Sequence, residues 1–256
     1  MTTPRVALIT GGAQGLGRAI AERLAQDGTI VVLGDVNAAQ AQRTAAELVA
    51  AGKQAAGIPL DVADETAVER AYADIDARYG RLDVLVNSAG VLGLDPDGKR
   101  PLVESMSLDL WQRTLDVNLT GTFLACRGAI PLMKRGRWGR IVNIASRAAR
   151  MRTGLGNSNY AASKAGLLGF SRVLAGEVGR DGITVNCIAP SRVATAMTLA
   201  VAAGIKDYFE KNIAETAVGR LAEPRDVAET AAFLCSDAAS FLTGIVMDVT
   251  GGSYMP

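Results

Sequence analysis

The chain contains no histidine among its 256 residues. Without an imidazole, Ser-His-Asp hydrolysis, zinc binding through histidine and acid–base catalysis by histidine are all excluded. Any proton transfer must therefore use tyrosine, lysine, aspartate, glutamate or cysteine, and we predict no metal site.

Cysteine, net charge and long apolar runs are also scarce. Cys126, Cys187 and Cys235 lie far apart, which favours reduced, buried thiols of a cytoplasmic protein over a disulfide framework. The net charge of +1 gives no electrostatic reason to expect nucleic acid or a membrane surface as a partner. The apolar run at residues 6–9 is too short for a signal peptide or a membrane span. We therefore expect a cytoplasmic protein that binds neither nucleic acid nor membrane.

Short apolar runs rich in β-branched residues alternate with helix-length segments along the whole chain. The runs lack the two-residue polar alternation of half-exposed strands, so each predicts a strand buried on both faces of a parallel sheet. The predicted strands cover residues 5–10, 30–35, 56–61, 82–87, 140–146, 183–189 and 244–249. The predicted helices cover residues 15–27, 38–51, 65–79, 109–134, 158–180 and 224–236.

This alternation predicts the fold class and the domain organisation. We expect one α/β domain over residues 1–256, a doubly wound, Rossmann-type, seven-stranded parallel sheet with helices on both faces. Longer stretches without strands lie at 91–107 and 192–222, and long loops in such folds are often functional. We place the substrate loops at about 91–107, 147–159 and 192–216.

A glycine-rich turn, Thr10-Gly11-Gly12-Ala13-Gln14-Gly15-Leu16-Gly17, follows the first predicted strand. Its spacing is Gly-x3-Gly-x-Gly. Glycines let the backbone approach a pyrophosphate, and the N-terminus of the following helix supplies unpaired N–H groups and positive dipole. The turn therefore predicts a dinucleotide site.

Asp35 ends the second predicted strand, 18 residues after Gly17. An acid near this position binds the adenosine ribose hydroxyls in dinucleotide sites. Its charge would repel a 2′-phosphate, and no arginine stands at positions 34–37 to offset it, which favours NAD over NADP. The alternative interpretation is a helix N-cap before Asn37.

Four further predicted strands end in polar or small residues. The carboxyl ends of parallel strands lie on one edge of the sheet, where doubly wound folds bind ligands. The residues are Asp61-Val62, Asn87-Ser88-Ala89-Gly90, Ser146 and Pro190-Ser191.

Tyr160 and Lys164 lie four residues apart in a predicted helix, so their side chains share one face. A nearby ammonium favours the phenolate and lowers a tyrosine pKa from its usual value of about 10. The pair therefore predicts a general base that becomes a general acid in the reverse reaction. A surface tyrosine beside a surface lysine is the alternative, because this spacing also occurs by chance.

Together these motifs resemble those of the short-chain dehydrogenase/reductase family, over essentially the whole chain. The resemblance rests on the glycine turn, on Asn87-Ser-Ala-Gly90 and on a catalytic tetrad. The tetrad residues are Asn118, Ser146, Tyr160 and Lys164. The resemblance implies cofactor contacts from Gly11, Gln14, Gly15, Leu16, Gly17, Asp35, Asp61, Val62, Asn87, Ala89, Gly90, Tyr160, Lys164, Pro190, Val193 and Thr195.

The resemblance also implies a role for each tetrad residue. Tyr160 would exchange a proton with the alcohol, and Ser146 would donate a hydrogen bond to the substrate oxygen. Lys164 would lower the pKa of Tyr160 and hold the nicotinamide ribose. Asn118 would hold a water that links Lys164 to solvent.

Some residues depart from the family pattern. Ser88 stands where the family usually has a second asparagine, Ser191 where it has glycine, and Thr250 where it has aspartate. The segment from Ser146 to Tyr160 is also about one residue longer than is common, which bears on substrate specificity more than on catalysis.

Two segments concern the substrate. Residues 134–152 contain seven basic residues and no acid, which indicates either an anionic substrate or acidic carrier protein, or an ordinary solvated face. Residues 192–216 mix apolar Met197, Leu199, Tyr208 and Phe209 with charged side chains at 206, 210 and 211. This pattern is typical of an amphipathic cover over a site, and ordinary packing of the apolar side is the alternative.

Three functions remain open at this point. The first is an NAD-dependent enzyme that interconverts a small-molecule secondary alcohol and its ketone, such as a polyol, an aryl carbinol, or an alicyclic or hydroxyacyl compound. The second is an NADPH-dependent 3-oxoacyl-acyl-carrier-protein reductase, and the third is a non-catalytic nucleotide-sensing or scaffold protein. The resemblance implies a homotetramer, paired through the helices predicted at 109–134 and 158–180 and through the last strand.

Overall fold

The computed structural model describes residues 3–153, 157–195, 198–199 and 207–256. The strands are β1 (Val6–Thr10), β2 (Ile30–Asp35), β3 (Ala55–Pro59), β4 (Val84–Asn87), β5 (Gly139–Ile144), β6 (Ile183–Pro190) and β7 (Val246–Val249). They form one sheet in the order β3-β2-β1-β4-β5-β6-β7, and every neighbouring pair is parallel. The strand order reverses between β1 and β4, which is where doubly wound sheets open a crevice for ligands.

Helices cover both faces of the sheet. They are α1 (Gly15–Gln26), α2 (Ala38–Ala50), α3 (Glu65–Tyr79), α4 (Leu108–Leu115), α5 (Gly121–Gly136), α6 (Ser158–Val178), α7 (Tyr208–Ala214) and α8 (Pro224–Leu234). Alternate residues of β1 point to opposite faces, so Ile9 packs into one apolar cluster with α1, α2 and α8, and Leu8 into a second cluster with α3, α5 and α6. The predicted fold class is confirmed.

The long helix predicted at 109–134 is interrupted. A π-helical segment, Asp116–Thr120, separates α4 from α5. The extra residue in a π turn breaks the 3.6-residue periodicity, and such turns are frequent at functional sites. The segment contains Asn118, one of the predicted site residues.

Other boundaries differ by a few residues. The third strand ends at Pro59 rather than at 61, so Asp61 and Val62 lie in the turn that follows it. In the predicted cover, Met197 and Lys206 lie outside the described residues. The described part contains the short helix α7, which buries Tyr208 and Asn212 and exposes Glu210 and Lys211, as an amphipathic segment would.

The three cysteines are free and buried, as predicted. No helix in the described part of the chain is long and apolar enough to span a bilayer. The described residues also contain no group of three or more cysteine, aspartate or glutamate side chains arranged to hold a metal ion.

Candidate active site

A cavity of about 800 Å³ opens at the carboxyl ends of the strands. Most of the predicted cofactor and catalytic residues line it. They are Gly11, Gln14, Gly15, Leu16, Gly17, Asp35, Asp61, Val62, Ala89, Gly90, Ser146, Tyr160, Lys164, Pro190, Val193 and Thr195. Positions up to 184 residues apart in the chain therefore meet at one edge of the sheet, because that edge collects the ends of parallel strands.

The glycine turn fits a pyrophosphate. Gly11 has a φ of +64°, and a Cβ there would lie 2.8 Å from the Cα of Ala89. A Cβ on Gly17 would overlap the carbonyl oxygen of Gly11. Helix α1 begins after Gln14 without a side-chain cap and has no acid in its first turn, so its first N–H groups and positive dipole remain available to an anion.

Asp35 links this turn to the end of β2. Its carboxylate accepts hydrogen bonds from the backbone N–H groups of Ala13 at 3.1 Å and Asn37 at 2.9 Å. The N-cap of α2 is Asn37, whose side chain accepts from the N–H of Gln40, so the N-cap alternative for Asp35 is wrong. The carboxylate borders the cavity, where an adenosine ribose would accompany a pyrophosphate on the turn.

Ser146, Tyr160 and Lys164 meet at the other part of the cavity. Ser146 follows β5, and its side chain hydrogen-bonds to Tyr160. Tyr160 and Lys164 lie one turn apart on α6, with the Lys164 ammonium 5.9 Å from the centre of the Tyr160 ring. The same ammonium donates a 2.8 Å hydrogen bond to the carbonyl oxygen of Ile144.

The electrostatics of this pair differ from the prediction. Burial lowers the pKa of Lys164 to about 8. Burial also raises the pKa of Tyr160 above its usual value, and the hydrogen bond from Ser146 offsets only part of that rise. The predicted lowering of the Tyr160 pKa by Lys164 is therefore wrong for this structure. Desolvation of the Tyr160 phenolate outweighs any attraction from the Lys164 ammonium, because that ammonium donates its hydrogen bond to a backbone carbonyl.

Asn118 does not line the cavity. Its side chain is fully buried, accepts from the N–H of Val91 at 2.8 Å and donates to the carbonyl of Val91 at 3.0 Å. It also donates to the hydroxyl of Ser163 on α6 at 3.0 Å. Asn118 therefore holds the start of the 91–107 loop against α6. The water-holding role implied by the resemblance stays a prediction.

The same loop is held a second time at Gly93. The carbonyl of Gly93 accepts from the side chains of Asn157 at 2.8 Å and Asn159 at 3.3 Å, at the start of α6. A Cβ on Gly93 would overlap the side chain of Asn159. The loop and the catalytic helix are thus joined at both Val91 and Gly93.

Asn87, predicted as a cofactor contact, is not among the residues that line the cavity, and the contact stays a prediction. Its side chain is buried beneath the cavity and donates to Asn143 on β5 at 2.8 Å. Asn143 in turn donates to Ser171 on α6 at 2.8 Å. This chain of polar contacts ties two strands to α6, while the following residues Ser88 and Ala89 reach the cavity surface.

The basic segment 134–152 does not form one cationic surface. Lys134 pairs with Asp181 at 2.9 Å, Arg135 pairs with Asp76, and Arg150 pairs with Asp248 at 3.4 Å. These partners come from distant segments, so counting charges along the sequence missed them. The segment therefore gives little support for a docking site for an acidic carrier protein.

Several cavity residues were not named as individual site residues. Some lie in the predicted strand-end motifs or substrate loops, namely Ser88, Val91, Leu92, Arg147, Ala148, Thr153, Ser191, Arg192 and Thr198. The others lie outside those regions, namely Val36, Leu60, Ala63, Asp109, Gln112, Arg113, Asp116, Val117, Ile144 and Ala145. Most adjoin a predicted residue in sequence, so widening each motif by one or two positions would have found them. Asp109, Gln112 and Arg113 on α4 had no such signal, because their position on the cavity wall depends on how this helix packs, which the sequence pattern does not show.

A cavity that pairs a pyrophosphate turn with a serine, a tyrosine and a buried lysine is the site of an oxidoreductase that uses a nicotinamide dinucleotide. Comparison with known proteins agrees with this class. A family model described as enoyl-(acyl carrier protein) reductase matches residues 11–254. The chain belongs to the short-chain dehydrogenase/reductase family.

Its relatives are similar along nearly their full length. A 3-oxoacyl-[acyl-carrier-protein] reductase of Aquifex aeolicus is 37% identical over 98% of this chain and 97% of its own. A D-threitol dehydrogenase of Mycolicibacterium smegmatis is 40% identical over 97% of this chain and 92% of its own. The crystal structure of a 3-oxoacyl-[acyl-carrier protein] reductase with bound NAD from Brucella melitensis has a TM-score of 0.87 and 38% identity over 98% of this chain and 92% of its own.

Proposed function

We propose that this protein interconverts a secondary alcohol and its ketone with NAD(H). The observation that carries the proposal is the single cavity shared by the glycine turn, Asp35 and the Ser146–Tyr160–Lys164 group. When bound, the nicotinamide supplies hydride transfer. Tyr160 takes the proton of the alcohol hydroxyl, or returns it to the forming alkoxide in the reverse direction. Ser146 donates a hydrogen bond to the same oxygen, and Lys164, one helical turn from Tyr160, would hold the nicotinamide ribose, the role that the family resemblance implies.

For the substrate, we place 3-oxoacyl thioesters first, which was the second of the three functions derived from the sequence. The support is the recurrence of 3-oxoacyl-[acyl-carrier-protein] reductases among the relatives. A small polyol is the second candidate, favoured by the D-threitol dehydrogenase. The test is a panel of 3-oxoacyl thioesters, free 3-oxo acids and polyols, with both cofactors in both directions, followed by nicotinamide absorbance. Failure of every ketone and alcohol to turn over would overturn the proposed function.

For the cofactor, we propose a preference for NAD(H) because of the Asp35 carboxylate. We expect Asp35→Asn to lower the ratio of kcat/KM for NAD over NADP by about 10-fold or more, since a like charge near a 2′-phosphate costs about 1–4 kcal/mol. Asparagine keeps an oxygen that can accept from Ala13 or Asn37, so the variant removes charge more than structure.

The matched control for this change is Asp61→Asn, because Asp61 is a second carboxylate on the cavity wall. We expect this variant to keep the ratio of kcat/KM for NAD over NADP near that of the wild type. A wild-type enzyme that prefers NADP, or a ratio that Asp35→Asn does not change, would contradict the assignment of Asp35.

We also propose a homotetramer. Phe123 on α5 and Val173 on α6 expose 42% and 64% of their surface, and Phe123 packs edge-to-face on Phe170 at 6.3 Å. Exposed apolar side chains grouped on two adjacent helices favour association. Multi-angle light scattering at micromolar concentration should give about four times the chain mass of 26.6 kDa. A monomer at that concentration would rule the tetramer out.

A further inference from the structure

Two arginines that the sequence motifs did not assign line the catalytic part of the cavity. Arg147 immediately follows Ser146 and is only 5% exposed. Arg192 follows Pro190 and Ser191 at the end of β6, and its side chain is 18% exposed. Arg147 adjoins Ser146 in the sequence, and both residues line the same cavity.

These two guanidinium groups face one carboxylate. Arg192 pairs with Glu215 at 3.4 Å, and the Glu215 side chain is 62% exposed. In the described part of the chain Arg147 has no ion pair, and its hydrogen bond goes to the backbone carbonyl of Ser253 at 3.1 Å. Burial and the nearby Arg192 both lower the pKa of Arg147, while Glu215 raises it.

The residues outside the described part supply no missing carboxylate. Residues 1–2, 154–156, 196–197 and 200–206 contain neither aspartate nor glutamate. The other acids on the cavity wall are Asp35, Asp61, Asp109 and Asp116, and none of them is among the charged groups that shift the pKa of Arg147. The pair therefore carries positive charge that Glu215 only partly balances.

Arg140 shows how this protein satisfies an arginine that has a structural role. Arg140 is 3% exposed, and its guanidinium donates to the carbonyls of Gly139 at 2.8 Å, Ser236 at 3.2 Å and Gly182 at 3.4 Å. It also stacks on Trp138, 4.2 Å from the ring centre. Arg147 is similarly buried, and among the described residues its guanidinium has only the hydrogen bond to Ser253. A buried guanidinium stays protonated, and leaving it underpaired in a cavity is costly unless a ligand anion completes it.

We propose that Arg147 and Arg192 bind an oxyanion group of the substrate, a carboxylate or a phosphate, that lies within a few bonds of the carbinol carbon. The planar donor fork of arginine matches both groups. The proposal rests on the proposed alcohol–ketone interconversion. Within that reaction it ranks free hydroxy acids and oxo acids, or small phosphorylated alcohols, above neutral polyols and simple thioesters, and so replaces the substrate order that the relatives alone support.

The first experiment compares anionic substrates with neutral counterparts that share the same carbinol. 3-Hydroxybutyrate, its amide and its N-acetylcysteamine thioester are oxidised with NAD, alongside erythritol and erythritol 4-phosphate. We expect the anionic member of each set to have a kcat/KM roughly 10- to 100-fold higher than its neutral counterpart, since hydrogen bonds to charged groups contribute about 1.5–3 kcal/mol. Equal turnover of charged and neutral members would overturn the oxyanion site while leaving the proposed function standing.

The second experiment uses variants. Arg147→Gln and Arg192→Gln should lower the ratio of kcat/KM for the anion over its neutral counterpart toward 1, and Arg147→Lys should retain part of that ratio. Arg150→Gln is the matched control, since Arg150 follows the same short turn but pairs with Asp248 and Tyr254 outside the cavity wall. If Arg150→Gln also lost the preference for anionic substrates, the preference would come from the overall positive charge of this region, which would contradict the proposed site.

A binding measurement tests the oxyanion site without depending on catalytic turnover. Malonate, malonamide and inorganic phosphate are titrated calorimetrically into the wild type and the variants, with and without NAD. Malonate or phosphate binding that both glutamine variants lose supports the site even if no alcohol is oxidised. Failure of both anions to bind would overturn the proposal. Variants that lose affinity for NAD instead of affinity for the anions would also overturn it, because that result would assign the arginines to the cofactor site.

Discussion

Tyr160→Phe is expected to reduce turnover on the order of 10²–10⁴-fold and to leave the affinity for NAD close to that of the wild type. The substitution removes the hydroxyl that bonds to Ser146 and retains the ring that fills the cavity wall. Steady-state rates give the first quantity, and quenching of intrinsic fluorescence by NAD gives the second. Tyr79→Phe, at the end of α3 and outside the cavity wall, is the control. A Tyr160→Phe enzyme with substantial activity would remove the tyrosine from the mechanism.

The raised pKa of Tyr160 adds a pH dependence to this prediction. As a base in alcohol oxidation, Tyr160 must lose its proton, and burial places that pKa above the usual value. Oxidation should therefore accelerate from pH 7 toward pH 10, whereas ketone reduction, which needs the protonated phenol, should change little over neutral pH. A kcat/KM for oxidation that is already constant at pH 7 would show that another group sets the rate.

Lys164→Met is expected to cost a comparable factor in turnover, on the order of 10²–10⁴-fold, and to change how stability depends on pH. The Lys164 pKa falls from 10.5 to about 8 on folding, because the ammonium is buried. The folded wild type therefore binds fewer protons than the unfolded chain between those values, and this residue's contribution to stability rises with pH across that window. Below about pH 8 the buried charge costs on the order of 3 kcal/mol, and this cost is relieved as pH approaches 10.5.

Urea unfolding at pH 7 and pH 10 measures this effect as a difference between proteins. The wild type should gain stability relative to Lys164→Met on going from pH 7 to pH 10. The comparison cancels the other titrating groups, such as buried Cys126 and Cys235, whose raised pKa values act in the opposite direction. Lys211→Met, at an exposed position on α7, should run parallel to the wild type. Parallel profiles for Lys164→Met and the wild type would show that Lys164 is not buried as an ammonium.

Much of the fold and site was predictable because the sequence encodes them locally. The glycine turn stands between a strand and a helix, so the steric demands at Gly11 and Gly17 can be inferred from a few consecutive residues. Asp35, Ser146 and Pro190 end or closely follow buried strands, and the parallel arrangement then brings them to one edge without further information.

The parts that were missed depend on packing between distant segments. The raised pKa of Tyr160 is set by how much of the phenol is desolvated, which the spacing to Lys164 does not report. Asn87 and Asn118 were assigned by motif, yet their partners, Asn143 and Val91, come from other elements. The charges at 134–152 were counted along the chain, whereas their neutralising partners are 47 to 98 residues away.

The two attachments of the 91–107 loop bear on how this enzyme can be redesigned. Val91 is held by Asn118 and Gly93 by Asn157 and Asn159, so the first three residues of the loop belong mechanically to the catalytic helix. A loop grafted from another enzyme, or one varied in a library, should begin after Gly93. An exchange that includes Gly93 would press any side chain there against Asn159 and shift the helix that carries Tyr160. Residues after Gly93 can therefore be exchanged to change substrate specificity, whereas the three residues up to Gly93 have to be kept because they hold the catalytic helix.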